Sequence, residues 1–203
     1  MAEGIPVTRR AVPAAEADAI REAVRRAERM SESRLARPED AAALLALLSD
    51  PAVHAPIYSL PRPLTEDSVR AFIEDHQRQQ AEGTGLLFVN DPGTGDILGY
   101  SDIQVWPDWA AGEIGGAIHP SLHGKGTGTS GAARTFSWMF EMLGLDLICE
   151  TASLENVITQ RLLDGLGFRR MGQVTSTRPD GTTRDSLVWE VTAAEWQRLC
   201  ERP

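Results

Sequence analysis

The segment from residue 111 to residue 143 constrains this chain most, because it joins an apolar run, a glycine loop and a helical pattern. The run AGEIGGAIH (111–119) predicts a strand, and the pattern over about 128–143 predicts a helix. Glycine occupies every second position of the loop from Gly124 to Gly128. Glycines let backbone N–H groups approach a ligand, and a helix start adds unpaired N–H groups and the positive end of its dipole. This order predicts an anion site for a ligand that carries phosphate.

The remaining sequence predicts helices first and a strand-rich half afterwards. Helices are expected over 14–30, after Pro38, after Thr65, over 155–165 and after Thr192. Further strands are expected at 86–90, 97–106, 145–150, from Gly167 and at 186–191. A helix separates 111–119 from 145–150, so these strands are predicted to be parallel neighbours. The fold class is therefore α/β, with a mostly antiparallel mixed sheet and helices on both faces.

The first 30 residues precede this pattern. VTRRAV (7–12) predicts a first strand of the sheet, because the other candidate, MSESRLA (30–36), is polar. We therefore expect a strand and helix extension over residues 1–30, packed on a main domain of residues 31–203.

Charge and composition exclude several classes of function. The net charge of -9 argues against broad nucleic-acid binding and mildly favours cationic ligands. No apolar run reaches the length of a membrane span, and the first residues lack the apolar core of a secretory signal, so a cytoplasmic location is expected. Cys149 lies in an apolar run and is expected to be a buried strand residue, and no disulfide with Cys200 is expected. The chain shows no metal-ligand spacing.

Two general phosphate motifs fit the loop incompletely. A P-loop requires Ser or Thr after its Gly-Lys pair, whereas Gly126 follows Lys125 here. The dinucleotide fingerprint G-x-G-x-x-G matches at Gly126, Gly128 and Gly131, and Glu150 lies near the distance expected for a ribose ligand. In that motif, however, the strand runs directly into the first glycine. A dinucleotide site is the weaker alternative.

The loop is similar to the coenzyme A pyrophosphate loop of the GNAT N-acetyltransferases, whose pattern is Q/R-x-x-G-x-G/A. His123 stands at the Q/R position, and the glycines of the pattern are Gly126 and Gly128. Residues 154–168, with Asn156 and a closing Gly-Phe pair, resemble the second motif of the family. The helices before residue 85, the strand GEIGGAIHP and the closing hairpin resemble the RimJ/RimL-type subgroup. The resemblance covers about residues 35–196.

This resemblance implies acetyl-CoA as co-substrate and no metal. Loop N–H groups would hold the pyrophosphate, and the end of strand 111–119 would contact the pantetheine arm. Asn156 would do the same, although a helix N-cap is an equally good use of its side chain. Gly115-Gly116 would allow a bulge that frees an N–H for the oxyanion. The predicted coenzyme A contacts are Ile118, His119, His123, Gly124, Lys125, Gly126, Thr127, Gly128, Thr129 and Asn156.

Glu113 is the first candidate for the general base, because it shares a strand face with Gly115, Ala117 and His119. The alternative, which the residue type alone favours, is a solvated or salt-bridged glutamate. Lesser candidates are Asp102, Glu150 and His119. Many GNAT enzymes carry a Tyr acid at the position that Leu163 occupies here. Thr159, three residues after Asn156, is therefore predicted to assist the leaving thiolate. The alternative is an ordinary helical Thr that bonds back to the chain.

Together these features predict an acetyl-CoA-dependent N-acetyltransferase that acts by direct attack. The acceptor would be a primary amine, either a protein N-terminus or a small amine. An acyl-CoA-binding sensor that has lost catalysis is the alternative, since Tyr is absent at 163 and Gln or Arg at 123. No nucleic acid or membrane partner is expected, and a homodimer stays open. Tyr58, Trp106 and Trp109 would be able to line an acceptor cleft, but a packed turn or a dimer contact is the favoured interpretation of WPDW (106–109). His54 and His76 are expected to be solvated.

Overall fold

The computed structural model describes residues 4–123, 127–177 and 181–201. The strands are β1 (Arg29–Met30), β2 (Ser33–Leu35), β3 (Gly85–Asn90), β4 (Gly99–Trp106), β5 (Ala111–Ile118), β6 (Leu147–Ser153), β7 (Arg169–Thr177) and β8 (Thr183–Thr192). The helices are α1 (Ala14–Arg26), α2 (Ala41–Leu48), α3 (Pro51–His54), α4 (Glu66–Glu82), α5 (Thr127–Leu143), α6 (Val157–Gly165) and α7 (Ala193–Cys200). The strands form one sheet in the order β1-β2-β3-β4-β5-β6-β8-β7.

The sheet has the predicted topology. Strands β5 and β6 pair in parallel, and α5 connects them, while the other described neighbours are antiparallel. The helix starts were predictable from local chemistry. Thr65 and Thr192 each accept a hydrogen bond from the N–H three residues on, and residue N3 returns a bond to the cap. The predicted mixed sheet with one parallel crossover is confirmed.

Helices cover both faces of the sheet because residues of each strand alternate between them. Leu86 and Phe88 of β3 join a core with α1, α5, α6 and α7. Leu87 and Val89 of the same strand join a second core with α2, α3 and α4. We call these the α5 face and the α4 face. Cys149 is buried in β6 and is not in a disulfide, as predicted.

The predicted strand at residues 7–12 is wrong. The N–H groups of Val7 and Thr8 bind the side chain of Glu190, 2.6 and 2.9 Å away, and not a neighbouring strand. The edge of the sheet is formed by β1 and β2 within the polar segment 30–36. Arg34 of β2 is paired with Asp40 and Asp91 at 2.7 and 2.8 Å, so its charge does not oppose a strand here.

The N-terminal segment crosses from one face of the sheet to the other. Ile5 packs on the α4 face of β6 and β8. The N–H of Val12 then binds the carbonyl of Asp108 at 3.1 Å, in the turn between β4 and β5. Helix α1 follows on the α5 face, where Ile20 and Val24 are buried. The division at residue 30 stays a prediction.

Gly83 provides a test of how α1 is docked. It ends α4 with a φ of 82°, and a Cβ there would lie 2.7 Å from the Cα of Arg21 in α1. Gly93 has the same φ with no neighbour within 4 Å of a Cβ. Gly93→Ala should lose about 1 kcal/mol of unfolding free energy through strain alone. Gly83→Ala should lose about 3 kcal/mol, because overpacking against α1 is added. Urea denaturation measures both, and equal losses would contradict this docking.

Candidate active site

An opening begins where β5 and β6 separate. The two strands pair only at Ala111 with Leu147 and at Gly112 with Ile148. The next N–H of β5 that points towards β6 belongs to Ile114. It binds the carboxyl oxygen of Glu150 at 2.9 Å and not a carbonyl of β6. Strand β5 stays paired with β4 up to Ile118. The edge of β5 beyond Ile114 therefore borders an opening.

The bulge expected at Gly115-Gly116 is not present. Gly115 pairs with Asp102 and Gly116 with Ser101 without a shift of register. Gly116 has a φ of 151°, and a Cβ there would collide with the carbonyl of Tyr100. This glycine therefore serves the close approach of β4.

Glu113 lies at the base of the opening. Its Oε1 accepts a hydrogen bond of 2.7 Å from the hydroxyl of Thr151, across the gap between β5 and β6. Glu113 is partly buried, and desolvation raises its pKa to about 7. The Thr151 hydrogen bond opposes this rise, and the negative charge of Asp102 adds to it. A carboxyl group with this pKa is suited to exchange protons near neutral pH.

The side chain of Glu150 lies on the opposite face of the sheet from that of its neighbour Thr151. Because successive strand residues point to opposite faces, Glu150 lies on the α5 face while Thr151 and Glu113 lie on the α4 face. Glu150 is 5% exposed. Burial raises its pKa well above the usual range, and the charge of Glu113 raises it further. Its contact with Ile114 makes it a structural group of the strand edge.

A buried histidine and aspartate lie beside this site, and sequence analysis missed them as a pair. His76 of α4 is 6% exposed, so the expectation that it is solvated is wrong. Its Nδ1 lies 2.8 Å from the carbonyl of Phe72, and its Nε2 lies 2.9 Å from Oδ1 of Asp102. Two acceptors facing both nitrogens favour the imidazolium. Burial lowers the pKa of His76, but the hydrogen bond and charge of Asp102 outweigh it and the net shift is upward. The helical spacing of His76 with Val69 and Ile73 was the available signal.

Asp102 lies on the α4 face of β4. Its Oδ2 accepts a hydrogen bond of 3.2 Å from Ser59 in the connector after α3. Its partner across the strands is Gly115, which has no side chain to cover the carboxylate. Asp102 and Glu113 therefore form an acidic floor on the α4 face of the opening.

The end of β5 meets the turn that follows it. His123 donates from Nε2 to the carbonyl of Ile118 at 3.1 Å. His119 accepts from the N–H of Ser121 at 3.2 Å, which closes the turn of residues 120–122. The two groups predicted to contact coenzyme A separately, His123 and Ile118, thus contact each other in this structure.

The glycine loop is described only in part. Gly124, Lys125 and Gly126 lie outside the described residues. The backbone of Thr127 begins α5, and Thr129 is exposed in its first turn. A Cβ on Gly128 would lie 3.7 Å from Cδ1 of Ile118. The start of α5 therefore lies beside the end of β5, as an anion site at this point requires.

Asn156 caps α6. Its Oδ1 accepts from the N–H of Thr159 at 3.2 Å, so the helix-cap alternative is confirmed for that oxygen. The hydroxyl of Thr159 makes no hydrogen bond to any residue that the structure describes, unlike that of Thr135, which bonds back to Gly131 at 3.1 Å. Leu163 is buried in the core and supplies no acid.

The three aromatic residues expected in an acceptor cleft have separate positions. The hydroxyl of Tyr58 donates to the carbonyl of Thr182 at 3.0 Å, and the guanidinium of Arg184 lies 4.1 Å from its ring centroid. The connector after α3 thus contacts the start of β8 across the opening. Trp106 packs with Ile5, and Trp109 lies under Arg9 at 4.7 Å, so both have structural contacts.

The described part of the chain contains no group of His, Cys, Asp and Glu side chains that could hold a metal ion. Within the same residues no helix is both long and apolar enough to span a bilayer.

Comparison with known proteins gives consistent matches. The acetyltransferase (GNAT) domain model matches residues 33–169. The uncharacterized N-acetyltransferase YnaD of Bacillus subtilis (strain 168) is 23% identical over 133 residues, which are 65% of this chain and 76% of that protein. The structure of Mycobacterium smegmatis RimJ in complex with CoA-disulfide has a TM-score of 0.68 and 24% identity, covering 80% of this chain and 82% of that one. The ribosomal-protein-S5-alanine acetyltransferase of Vibrio fischeri has a TM-score of 0.66 and 19% identity, covering 81% and 93%.

The raised pKa of Glu113 should make folding stability depend on pH. The folded-state pKa of about 7 exceeds the ordinary value of 4.5, so the folded protein keeps a proton that the unfolded chain has lost. The associated stabilisation is complete below pH 4.5 and disappears as the pH rises through 7. Relative to Glu113→Gln, the wild type should lose up to about 3 kcal/mol over this range.

Urea denaturation at several pH values measures the difference between these two proteins. The exposed Glu155→Gln is the matched control and should follow the wild-type curve. Parallel curves for the wild type and Glu113→Gln would contradict a raised pKa at Glu113.

Proposed function

The chain belongs to the GNAT acetyltransferase family and is an acyltransferase, and from its site we propose that it transfers an acetyl group from acetyl-CoA to a primary amine. The observation that carries this proposal is Glu113, whose pKa is about 7 at the base of the opening between β5 and β6. A carboxyl group in this position can accept a proton from an amine that lies in the opening.

Coenzyme A fits the groups around the start of α5. The helix begins beside Ile118, so its first N–H groups and its dipole would face the pyrophosphate. The carbonyl of Ile118 and the NH₂ of Asn156, which has no hydrogen bond to a described residue, would bind the amides of pantetheine. His123 would exchange its bond to Ile118 for one to a phosphate oxygen. When bound, acetyl-CoA supplies an acetyl group that is activated as a thioester.

The proposed reaction needs no covalent intermediate on the protein. The acceptor must lose a proton before its nitrogen can attack, and Glu113 takes that proton. The amine nitrogen would then form a bond to the acetyl carbon and the carbon–sulfur bond would break, with the second proton of the nitrogen passing to the sulfur, which leaves as the coenzyme A thiol. Thr151 holds the Glu113 carboxylate in place at 2.7 Å.

The hydroxyl of Thr159 is the proposed partner of the leaving sulfur. It lies in the first turn of α6, has no hydrogen bond to a described residue, and Leu163 offers no alternative acid. A hydroxyl donor near the sulfur stabilises the thiolate as negative charge develops there.

The acceptor would enter from the α4 face. Asp102, which is paired with His76, and Glu113 place two carboxyl groups on that side, and the contact of Tyr58 with Thr182 borders it. A cationic amine is favoured by this floor and by the net charge of -9. A protein N-terminus and a small primary amine both satisfy this chemistry.

Turnover should depend strongly on Glu113. The Glu113→Gln variant is expected to lower kcat/KM by about 100-fold or more near neutral pH, because general-base catalysis is lost. Release of coenzyme A thiol over a panel of peptides and small amines measures this. Thermal stabilisation by coenzyme A should be unchanged. Tight coenzyme A binding without thiol release on any acceptor would instead favour an acyl-CoA sensor.

Thr159 gives an independent test of the leaving-group step. Thr159→Ala should lower kcat by about tenfold or more without weakening coenzyme A binding, because the lost interaction forms in the transition state. Thr159→Ser retains the hydroxyl and should restore most of the rate. An unchanged kcat in the Ala variant would remove Thr159 from the mechanism.

A further inference from the structure

Residues 4–8 form a short segment that lies outside the part of the chain matched by the family model, which begins at residue 33. We call this segment the N-terminal plug. It lies on the α4 face of the sheet, the same face as Glu113.

Glu190 binds the C-terminal end of the plug. This residue of β8 is fully buried, and its Oε1 accepts hydrogen bonds from the N–H groups of Val7 and Thr8 at 2.6 and 2.9 Å. A buried carboxyl oxygen that binds two successive backbone N–H groups fixes the path of the chain at this point. Glu190 is opposite Cys149 of β6 in the strand register.

Ile5 is buried in a small apolar cluster on this face of the sheet. It is 4% exposed and packs with buried Cys149 and Val188, and with Trp106 of β4. Cys149 is two residues before Thr151, the partner of Glu113. Trp106 is two residues after Gln104, which pairs with Glu113 across β4 and β5. Ile5 therefore belongs to an apolar cluster that includes residues of both strands that flank Glu113 on this face.

We propose that the N-terminal plug closes the β6 and β8 side of the Glu113 site, with Ile5 and Glu190 as positioning residues for the base. Ile5 keeps water from the carboxyl group on that side, and Glu190 holds Ile5 in place. The catalytic consequence rests on the proposed function of Glu113, whereas the closure itself does not.

The burial that raises the pKa of Glu113 then depends on this segment. The hydrogen bond from Thr151 opposes the rise in the pKa of Glu113, and the charge of Asp102 adds to it. Arg184, on β8, lowers the pKa of Glu113. Water in the place of Ile5 would stabilise the ionised form of Glu113 and lower its pKa. The other titratable or charged groups in this region are Cys149 and Glu150 on β6, Glu190 on β8, and His76, which pairs with Asp102.

The test is the titration of Glu113 in full-length protein with ¹³C-labelled glutamate carboxyl groups, followed by NMR and assigned with Glu113→Gln. Ile5→Ser and Glu190→Ala should each lower the pKa of Glu113 by about one unit or more. Two matched variants should leave it unchanged. Ile5→Leu keeps an apolar side chain, and Glu190→Gln removes the charge but keeps an acceptor oxygen for Val7 and Thr8. Arg10→Ala, an exposed residue two positions after the plug, controls for a general effect of the N-terminus.

The lower limb of the pH profile of kcat/KM should shift with the NMR value in the first two variants, while affinity for coenzyme A stays constant. An unchanged pKa of Glu113 in both Ile5→Ser and Glu190→Ala would overturn the proposal. An equal shift in Glu190→Ala and Glu190→Gln would also overturn it, because charge and not closure would then be the cause. A shifted pKa without turnover on any amine would support the plug and reject the proposed function.

Discussion

The hydrogen bond between Ile114 and Glu150 is the contact on which the site depends. Strands β5 and β6 start as a parallel pair and separate after two residue pairs, which leaves the N–H of Ile114 without a strand carbonyl. An unpaired buried N–H would cost on the order of 1–3 kcal/mol. Glu150 supplies the missing acceptor at 2.9 Å. The sheet can therefore open at this position without an unsatisfied backbone group.

The alternation of β6 places Glu150 and Thr151 on opposite faces of the sheet and gives them different roles. Glu150 supports the strand edge from the α5 face, and Thr151 binds the base candidate on the α4 face. Burial raises the pKa of both Glu113 and Glu150. A neutral Glu150 still has a carbonyl oxygen for Ile114, so it fulfils its task without a buried charge. Glu113, at the opening, keeps a pKa near neutrality and remains able to exchange its proton.

Local sequence signals predicted the elements that local chemistry forms. The strand, glycine loop and helix at residues 111–143, and the capping boxes at Thr65 and Thr192, depend on neighbours a few residues away. The bond between Asp102 and His76 depends on the packing of α4 against the sheet, which periodicity does not contain. The short strand β2 was missed because its arginine is neutralised by Asp40 and by Asp91, the second of which is 57 residues distant.

The same distinction applies to the catalytic candidate. Family resemblance and strand parity identified Glu113, but they gave no information about its proton affinity. The pKa of Glu113 is set by burial, and by Thr151 and Asp102 on the neighbouring strands. The residues that bury this face include Ile5, held by a glutamate 182 positions after Thr8 in the chain. If the proposed base is Glu113, the N-terminal plug would therefore help to set the pH range in which this carboxyl group accepts a proton.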